Sequence, residues 1–418
     1  MGVKTRYLNF ASGETLSFEV LSNESYIDST QTAFDLAQQI HDNMVSSTFR
    51  IFVLYADETI HYEIPKDDIK VGGSYQENYQ NGLRRTLSFT VYNYDGKYTP
   101  GVNNFGVGTR LRFEMGANLA NGQTVWISKG VFVITSVTTN NTPRGREVQI
   151  SCGDKFSLYE TGGLGTLTSP YEIGVDILIE DVIRTLQLYD IGNGTVIDPK
   201  PMIFHSSLRG KKTQCSVSKN MGDNIGSLLL EMATQLSAEM FYNSNGNLVV
   251  LPIQTVTNDT NKPLVYSFNA EDGDISQLSF GLDYSRVINR IIVVGNTSTG
   301  GVFQAVAVNN DPESPYCYQR IGYHTGAVIR DSAIYSQYLA QERANYELRV
   351  QSILKTTVTA NVLFNPLLEV NNLIAITDPF FDLLKERFLL QSVSCPLDFS
   401  NQMSISFSNL NNLPFTVR

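Results

Sequence analysis

Period-two alternation in two neighbouring segments constrains this chain more than any other feature. Leu87, Phe89 and Val91 alternate with Ser88, Thr90 and Tyr92, and Leu111, Phe113 and Met115 alternate with Arg110, Arg112 and Glu114. Successive side chains of a strand point to opposite faces, so each segment reads as a half-buried antiparallel strand and not as an amphipathic helix. Between them lie Asn93, Asp95-Gly96, Pro100-Gly101 and Gly108. Asp-Gly tolerates positive φ and Pro-Gly reverses the chain, which predicts structural turns in an elaborated hairpin loop at Asn93, Asp95, Gly96, Pro100 and Gly108.

Asn93, Asp95 and Gly96 also imitate the opening of a calcium loop, in which oxygen ligands two apart precede an invariant glycine. With Gly96 in the glycine position, the first ligand would be Val91 and the closing bidentate acid Val102. Neither side chain offers an oxygen to a hard cation, so the turn is the reading kept and no metal is expected.

A chain of 418 residues exceeds what one hydrophobic core fills, which gives a soft expectation of about two to four domains. Charged residues make up 17% while aromatics reach 11%, with 21 Tyr and 22 Phe, a bias towards strands and interfaces. The formal charge of -10 argues against a protein that grips nucleic-acid backbone, which needs clustered Lys and Arg. The basic clusters Arg84-Arg85 and Arg209 to Lys212 read as solvated loops or strand ends. Cys152, Cys215, Cys317 and Cys395 stand far apart, as do His41, His61, His205 and His324, so no zinc or redox motif is readable. The start has no apolar signal region and no run is long enough to span a bilayer, from which synthesis in a reducing cytoplasm is expected.

Along the chain, residues 1–47 read as an N-terminal extension or docking arm with a helix over about 32–44. Residues 48–160 alternate strand and turn, a first β-barrel. Glycines 162, 163 and 165 lack the Gly-Lys-Ser/Thr of a phosphate loop and are read as a linker. From there to residue 265 an α+β module is expected: a helix over about 173–190, a second capped by Asp223, then a hairpin around Asn245-Gly246. Strands return over 266–418 as a second β-barrel with an inserted helix at 332–352, offering Ile334, Tyr335, Tyr338, Leu339 and Tyr346 for packing.

The C-terminal part echoes the first barrel. Lys129 to Val137, a turn and Val148 to Cys152 are answered by Glu386 to Val393, a turn and Met403 to Phe407, and Leu111 to Phe113 is answered by Leu373 to Ala375. The fold class expected is therefore a β-rich α+β multidomain chain, with two related antiparallel β-barrels flanking a small α+β module.

Chemistry is harder to find. The best acidic cluster, Glu271-Asp-Gly-Asp274, could supply a glycosidase-like carboxylate pair, but adjacent acids beside a glycine read better as a turn. No Gly-x-Ser-x-Gly elbow and no His-Glu-x-x-His occurs, so no enzyme and no cofactor is expected. The aromatic content leaves a glycan-binding or glycan-cleaving β-protein as the alternative.

Tyr92 to Pro100, with Gly108-Thr-Arg-Leu-Arg112 and Lys129-Gly-Val-Phe132, resembles the first barrel of the baseplate hub, or tail-associated hub, proteins of long-tailed bacteriophages. Asn289 to Gly295, Asp311 to Pro315, Ala340 to Leu348, Asn365 to Asn372 and Gln391 to Leu397 resemble its later parts, although Asn371-Asn372 replaces a Gly-Asp pair. The resemblance covers about residues 48–410 and rests on the order of the motifs. It implies a homotrimer whose two barrels per subunit make a pseudo-sixfold ring in the virion tail tip. The implied partners are the tail tube or distal tail ring, the tape-measure protein and fibre or spike proteins, with DNA passing through without specific binding. Family members often continue into a peptidase, lysozyme or fibre domain; here such an activity is expected on another protein.

Overall fold

The computed structural model describes residues 2–9, 15–22, 33–103, 105–142, 145–160, 165–192, 194–213, 216–252, 263–280, 287–295, 302–312, 314, 316–331, 334, 336–353, 358–398 and 401–409. Fifteen strands join one hydrogen-bonded sheet. In chain order they are β1 (Gly2–Asn9), β2 (Thr15–Ser22), β3 (Met44–Leu54), β4 (Ile60–Ile64), β5 (Ile69–Asn78), β6 (Arg85–Tyr92), β7 (Arg110–Leu119), β8 (Thr124–Thr142) and β9 (Gly145–Asp154). The last six are β10 (Leu264–Asn269), β11 (Ile275–Phe280), β12 (Val358–Leu363), β13 (Leu373–Asp378), β14 (Leu383–Pro396) and β15 (Gln402–Asn409).

Leu87, Phe89, Val91, Leu111, Phe113, Met115, Phe132, Ile134, Val148 and Ile150 face one core, and that core continues through Val265, Phe268, Val358, Val362, Ile374, Leu390, Val393 and Phe407. Apolar rows from many strands can share one core only if the sheet curls around it, so each set of strands closes towards a barrel. The outer face of β7 is not the solvated one that alternation predicts. Arg110 and Glu114 are buried as well, Arg110 against the carbonyl of Ile197 and Glu114 beneath Arg50 and Arg112.

Both barrels run through the same strand order. Counting β3, β5, β6, β7, β8 and β9 as first to sixth, the sheet order is 1-4-5-6-3-2, and β10, β11, β12, β13, β14 and β15 give 1-4-5-6-3-2 again. The match extends to a bulge: register shifts between Ile134 and Ser136 in the β8–β9 pair and between Leu390 and Ser392 in the β14–β15 pair. A bulge re-aims a strand, and two at the same place in two topologically equal strands mark one design used twice. The copies differ in their first strand, since β3 is antiparallel to β7 whereas β10 is parallel to β13. They meet where β14 adds to β5, with Ser392 opposite Asn78 and Pro396 opposite Ser74. Asn371, the departure from the family pattern, has φ 71, a conformation Asn tolerates better than most residues and Gly adopts freely.

The N-terminal segment packs on its own chain. Helix α1 (Ala33–Asn43) buries Leu36, Ala37 and Ile40. It lies against β10, with the His41 ring 5.4 Å from that of Tyr266 and its Nε2 3.2 Å from Asp274. β2 adds to β8, placing Phe18 opposite Ile127. β3 begins at Met44, so residue 47 lies within a strand.

The α+β module contains α2 (Ile179–Gln187) and α3 (Ile225–Gln235), with a hairpin of Ala238–Tyr242 and Leu248–Pro252. The helix expected over 173–190 is shorter because Thr213 occupies the backbone ahead of it: its hydroxyl donates to Gly174 and accepts from Ile177 N–H. Asn224, not Asp223, caps α3, accepting from Ser227 N–H at 3.2 Å, while Asp223 accepts from Asn220 N–H. Met240 lies in a strand rather than on the helix face. The region inserted between β11 and β12 carries α4 (Gln337–Ile353), packed through Ala340, Ala344 and Leu348 against Ile291 and Val293. Tyr338, expected to pack, is 73% exposed, and Tyr335 lies outside the described residues. The small alanines let helix and strands approach closely at i, i+4 spacing.

Candidate functional site

The loop between β6 and β7 is a self-contained plug. Asn93 Oδ1 accepts from Tyr98 N–H at 2.9 Å and its amide donates to Thr99, so this oxygen of the would-be calcium loop is spent on the turn. Asp95 accepts from Lys97 N–H, and Gly96 has φ 79, the left-handed region expected of Asp-Gly. Tyr98 and Phe105 are buried with ring centroids 5.5 Å apart, and the Tyr98 hydroxyl donates to Asp68 at 2.6 Å. Pro100 is exposed at the chain reversal closed by Gly101 N–H to Phe105 C=O. Gly108, φ 87, donates to Ile134 and returns the chain to the sheet. Among the described residues no group of His, Cys, Asp and Glu is arranged to hold a metal ion.

The densest polar chemistry lies where the barrels and the module meet, and it corrects the reading of Arg84-Arg85 as a solvated end. Both arginines are buried. Arg85 pairs with Glu77 at 2.7 Å and Glu369 at 3.6 Å and donates to the Tyr242 carbonyl, so one guanidinium touches both barrels and the module. Lys129, on β8, donates to the carbonyls of Pro366 at 3.2 Å and Leu368 at 2.9 Å. Arg84 reaches Glu239 at 3.4 Å and lies 3.7 Å above the Phe241 ring.

A second knot joins first barrel and module. Lys155, fully buried, pairs with Asp198 at 2.7 Å and with Glu58, and donates to Gly246 C=O at 2.9 Å. Asp198, also fully buried, accepts from Tyr242 hydroxyl at 2.7 Å, and Lys200 completes the knot on Glu58 at 2.8 Å. A buried charge is tolerated only when its partners and hydrogen bonds are complete, and these are. Asp154 anchors the segment between the knots, accepting from Arg84, Arg85 and Phe156 N–H groups at 2.9, 3.0 and 2.9 Å. Burial pushes its carboxyl up to about 6 against those three N–H donors.

One sequence signal could have located Arg85. It shares the parity of Leu87, Phe89 and Val91, so the alternation that finds the core also points this arginine into it. Nothing comparable marks Lys155 or Asp198, which meet only through the tertiary fold. The charged groups of the knots are spent on one another and on backbone carbonyls, which ties the two barrels and the module together. Glu271 and Asp272 form a turn closed by Gly273 with φ 81, and Asp274 is buried against His41, so the cluster is not a carboxylate pair facing a cleft. A cleft of about 290 Å³ does open between α3 and α4, lined by Leu230, Glu231, Gln235, Ile334, Leu339 and Arg343.

No protein-family model matches the chain, and no curated protein does. Solved structures do. The 43 kDa tail protein of prophage MuSo2 from Shewanella oneidensis is similar at TM-score 0.58 and 13% identity, over 88% of this chain and 100% of that one. The tail protein from Neisseria meningitidis MC58 is similar at TM-score 0.57 and 11% identity, over 88% and 99%. A chain of the Francisella PdpA-VgrG complex is similar at TM-score 0.52 and 8% identity, over 92% of this chain and 55% of that one. This chain therefore has the β-rich multidomain fold of phage tail and VgrG-type proteins.

Proposed function

We propose that the protein is a structural hub of a phage-type tail, acting at the baseplate or tail tip. Subunits form a homotrimer whose paired barrels make a pseudo-sixfold ring joining the tail tube to fibre or spike proteins around the DNA passage. The observation that carries this is the 1-4-5-6-3-2 strand order occurring twice in one chain, joined edge to edge. A threefold assembly of a doubled unit offers six similar surfaces, which a sixfold tube requires. The rigid charged seams suit a part that must transmit load without hinging, and the shared fold of phage tail proteins supports the placement.

The role is mechanical and not enzymatic. DNA slides through without specific contact, so the passage lining is neutral or acidic, in keeping with the net charge of -10. The tail tube or distal ring, the tape-measure protein and the fibre or spike proteins are the partners. Native mass spectrometry and electron microscopy of the protein, alone and with its tail tube partner, are expected to give a three-copy ring. A monomer under both conditions, or a strongly basic channel, refutes the reading. Binding or hydrolysis of glycans would favour the alternative.

A further inference from the structure

The way the two barrels of one chain join specifies how neighbouring chains join. Inside the chain, the fifth strand of the second barrel, β14, runs past its bulge and leaves β13. It then pairs through Ser392–Pro396 with the second strand of the first barrel, β5. Backbone bonds extend the seam at both ends, from Tyr79 N–H to Gln391 C=O and from Leu397 N–H to Gly73 C=O. The topological equal of β14 is β8, and that of β5 is β11. Among the described residues both present the corresponding edge free.

β7 accompanies β8 only as far as Val133, opposite Arg110, and the last bonds on that edge are those of Ile134 with Gly108 and Thr109. From Ser136 to Asn140 the edge pairs with no strand among the described residues, and Ser136, Thr138 and Thr139 are exposed. Their equals on β14 are better covered: Ser392 and Ser394 are half-buried and Cys395 is buried in the shared core. β11 pairs with β12 on one side and with no other described strand. Neither edge carries a defence within its own span. Thr135 to Thr142 reads Thr-Ser-Val-Thr-Thr-Asn-Asn-Thr and β11 reads Ile-Ser-Gln-Leu-Ser-Phe, without a charge or a proline. Soluble proteins blunt exposed edges with Lys, Pro or inward charge, so two bare, uncharged edges at equivalent places call for an occupant. Among the other edge strands, β4 by contrast carries Glu63 within its span.

We infer that the Ser136–Asn140 edge of β8 in one copy pairs antiparallel with β11 of the next copy, repeating the β14–β5 seam. The occupant is a second copy of this chain, and the inference rests on the ring reading above. The intrachain seam sets the register. Asn140 is the equal of Pro396, since Ser136 and Ser392 occupy the same place after the bulge. Ser279 is the equal of Ser74, since each stands opposite the matching residue of the third strand, Thr359 or Ser88. Pro396 faces Ser74, so Asn140 faces Ser279 of the neighbour, and Thr139 faces Phe280.

The double variant Asn140→Cys with Ser279→Cys tests this, because directly opposed residues of antiparallel strands stand within disulfide reach, about 4.5–5.5 Å between Cα atoms. Mild oxidation of the assembled protein is expected to give covalent dimers and closed trimers on non-reducing gels, while either single variant stays unlinked. Hydrogen exchange of the unaltered protein is the second measurement: amides of residues 136–140 are expected to slow at least roughly tenfold on assembly. Trimers seen by native mass spectrometry without covalent linkage and without that protection overturn this seam and leave the ring standing. A chain that stays monomeric overturns both.

Discussion

Replacing Lys155 by Met tests whether the charged seam holds the module to the first barrel. The ammonium is fully buried, 2.7 Å from Asp198, which is itself fully buried, and it also serves Glu58 and the Gly246 carbonyl. Met fills a similar volume, so little packing is lost, but Asp198 keeps its charge with only Tyr242, Gln187 and the Lys200 N–H to answer it. Removing one partner of a buried ion pair costs about 3–5 kcal/mol, a large part of the roughly 5–15 kcal/mol that stabilises a domain. Urea unfolding can be followed at the chain's single tryptophan, Trp126 on β8, and by far-ultraviolet circular dichroism. Both transitions are expected to move to lower urea together, because the knot ties barrel to module. Adding Asp198→Asn should restore at least about 1 kcal/mol, since no bare carboxylate then remains at that position. A loss below about 1 kcal/mol in the single variant, or strict additivity in the double one, would refute the claim that the knot is desolvated and coupled.

Other outcomes follow from the same geometry. Asp154, raised to about 6 by burial, binds its proton more readily folded than unfolded, where the carboxyl titrates near 3.8. Its contribution therefore opposes folding above pH 6 and fades as pH falls towards 4, so the native protein should gain stability relative to Asp154→Asn over that window by about 2–3 kcal/mol. Denaturant titrations of both proteins at several pH values check the sign. At Gly165 an added Cβ would lie 2.1 Å from the Tyr159 backbone. Gly165→Ala should cost about 3 kcal/mol, measured by thermal melting, which a merely flexible linker would not. Phe380 is 87% exposed at the tip between β13 and β14, with Leu384 at 78%. Phe380→Ser should shift monomer stability by no more than about 0.5 kcal/mol in the same assay.

Sequence patterning reached a good deal of this molecule. Alternation placed Leu87, Phe89, Val91, Leu111, Phe113 and Met115 on the core face, and the structure puts all six in it. The echo between residues 129–152 and 386–407 was legible because equal strands at equal spacing leave similar apolar rows, and the repeated strand order and bulge explain why. Helix limits were less legible. α2 and α3 begin where Thr213 and Asn224 claim backbone groups, bonds that periodicity does not register.

By itself, then, the sequence determined which faces are apolar, where the chain turns and that one design recurs, since all three follow from side-chain period and from the φ preferences of Gly, Asn and Asp near each position. Which charged residues are interior was decided only by the tertiary structure. Arg85 shares the parity of the core row, but Arg84, Lys129 and Lys155 differ from surface cations in nothing local; they are buried because Glu239, Glu369 and Asp198 arrive beside them from other parts of the fold. Long-range pairing also decided that β14 covers the edge of β5 while no described strand covers the equivalent edge of β8, because hydrogen-bonded edges depend on which strand lies alongside and not on the residues that compose them.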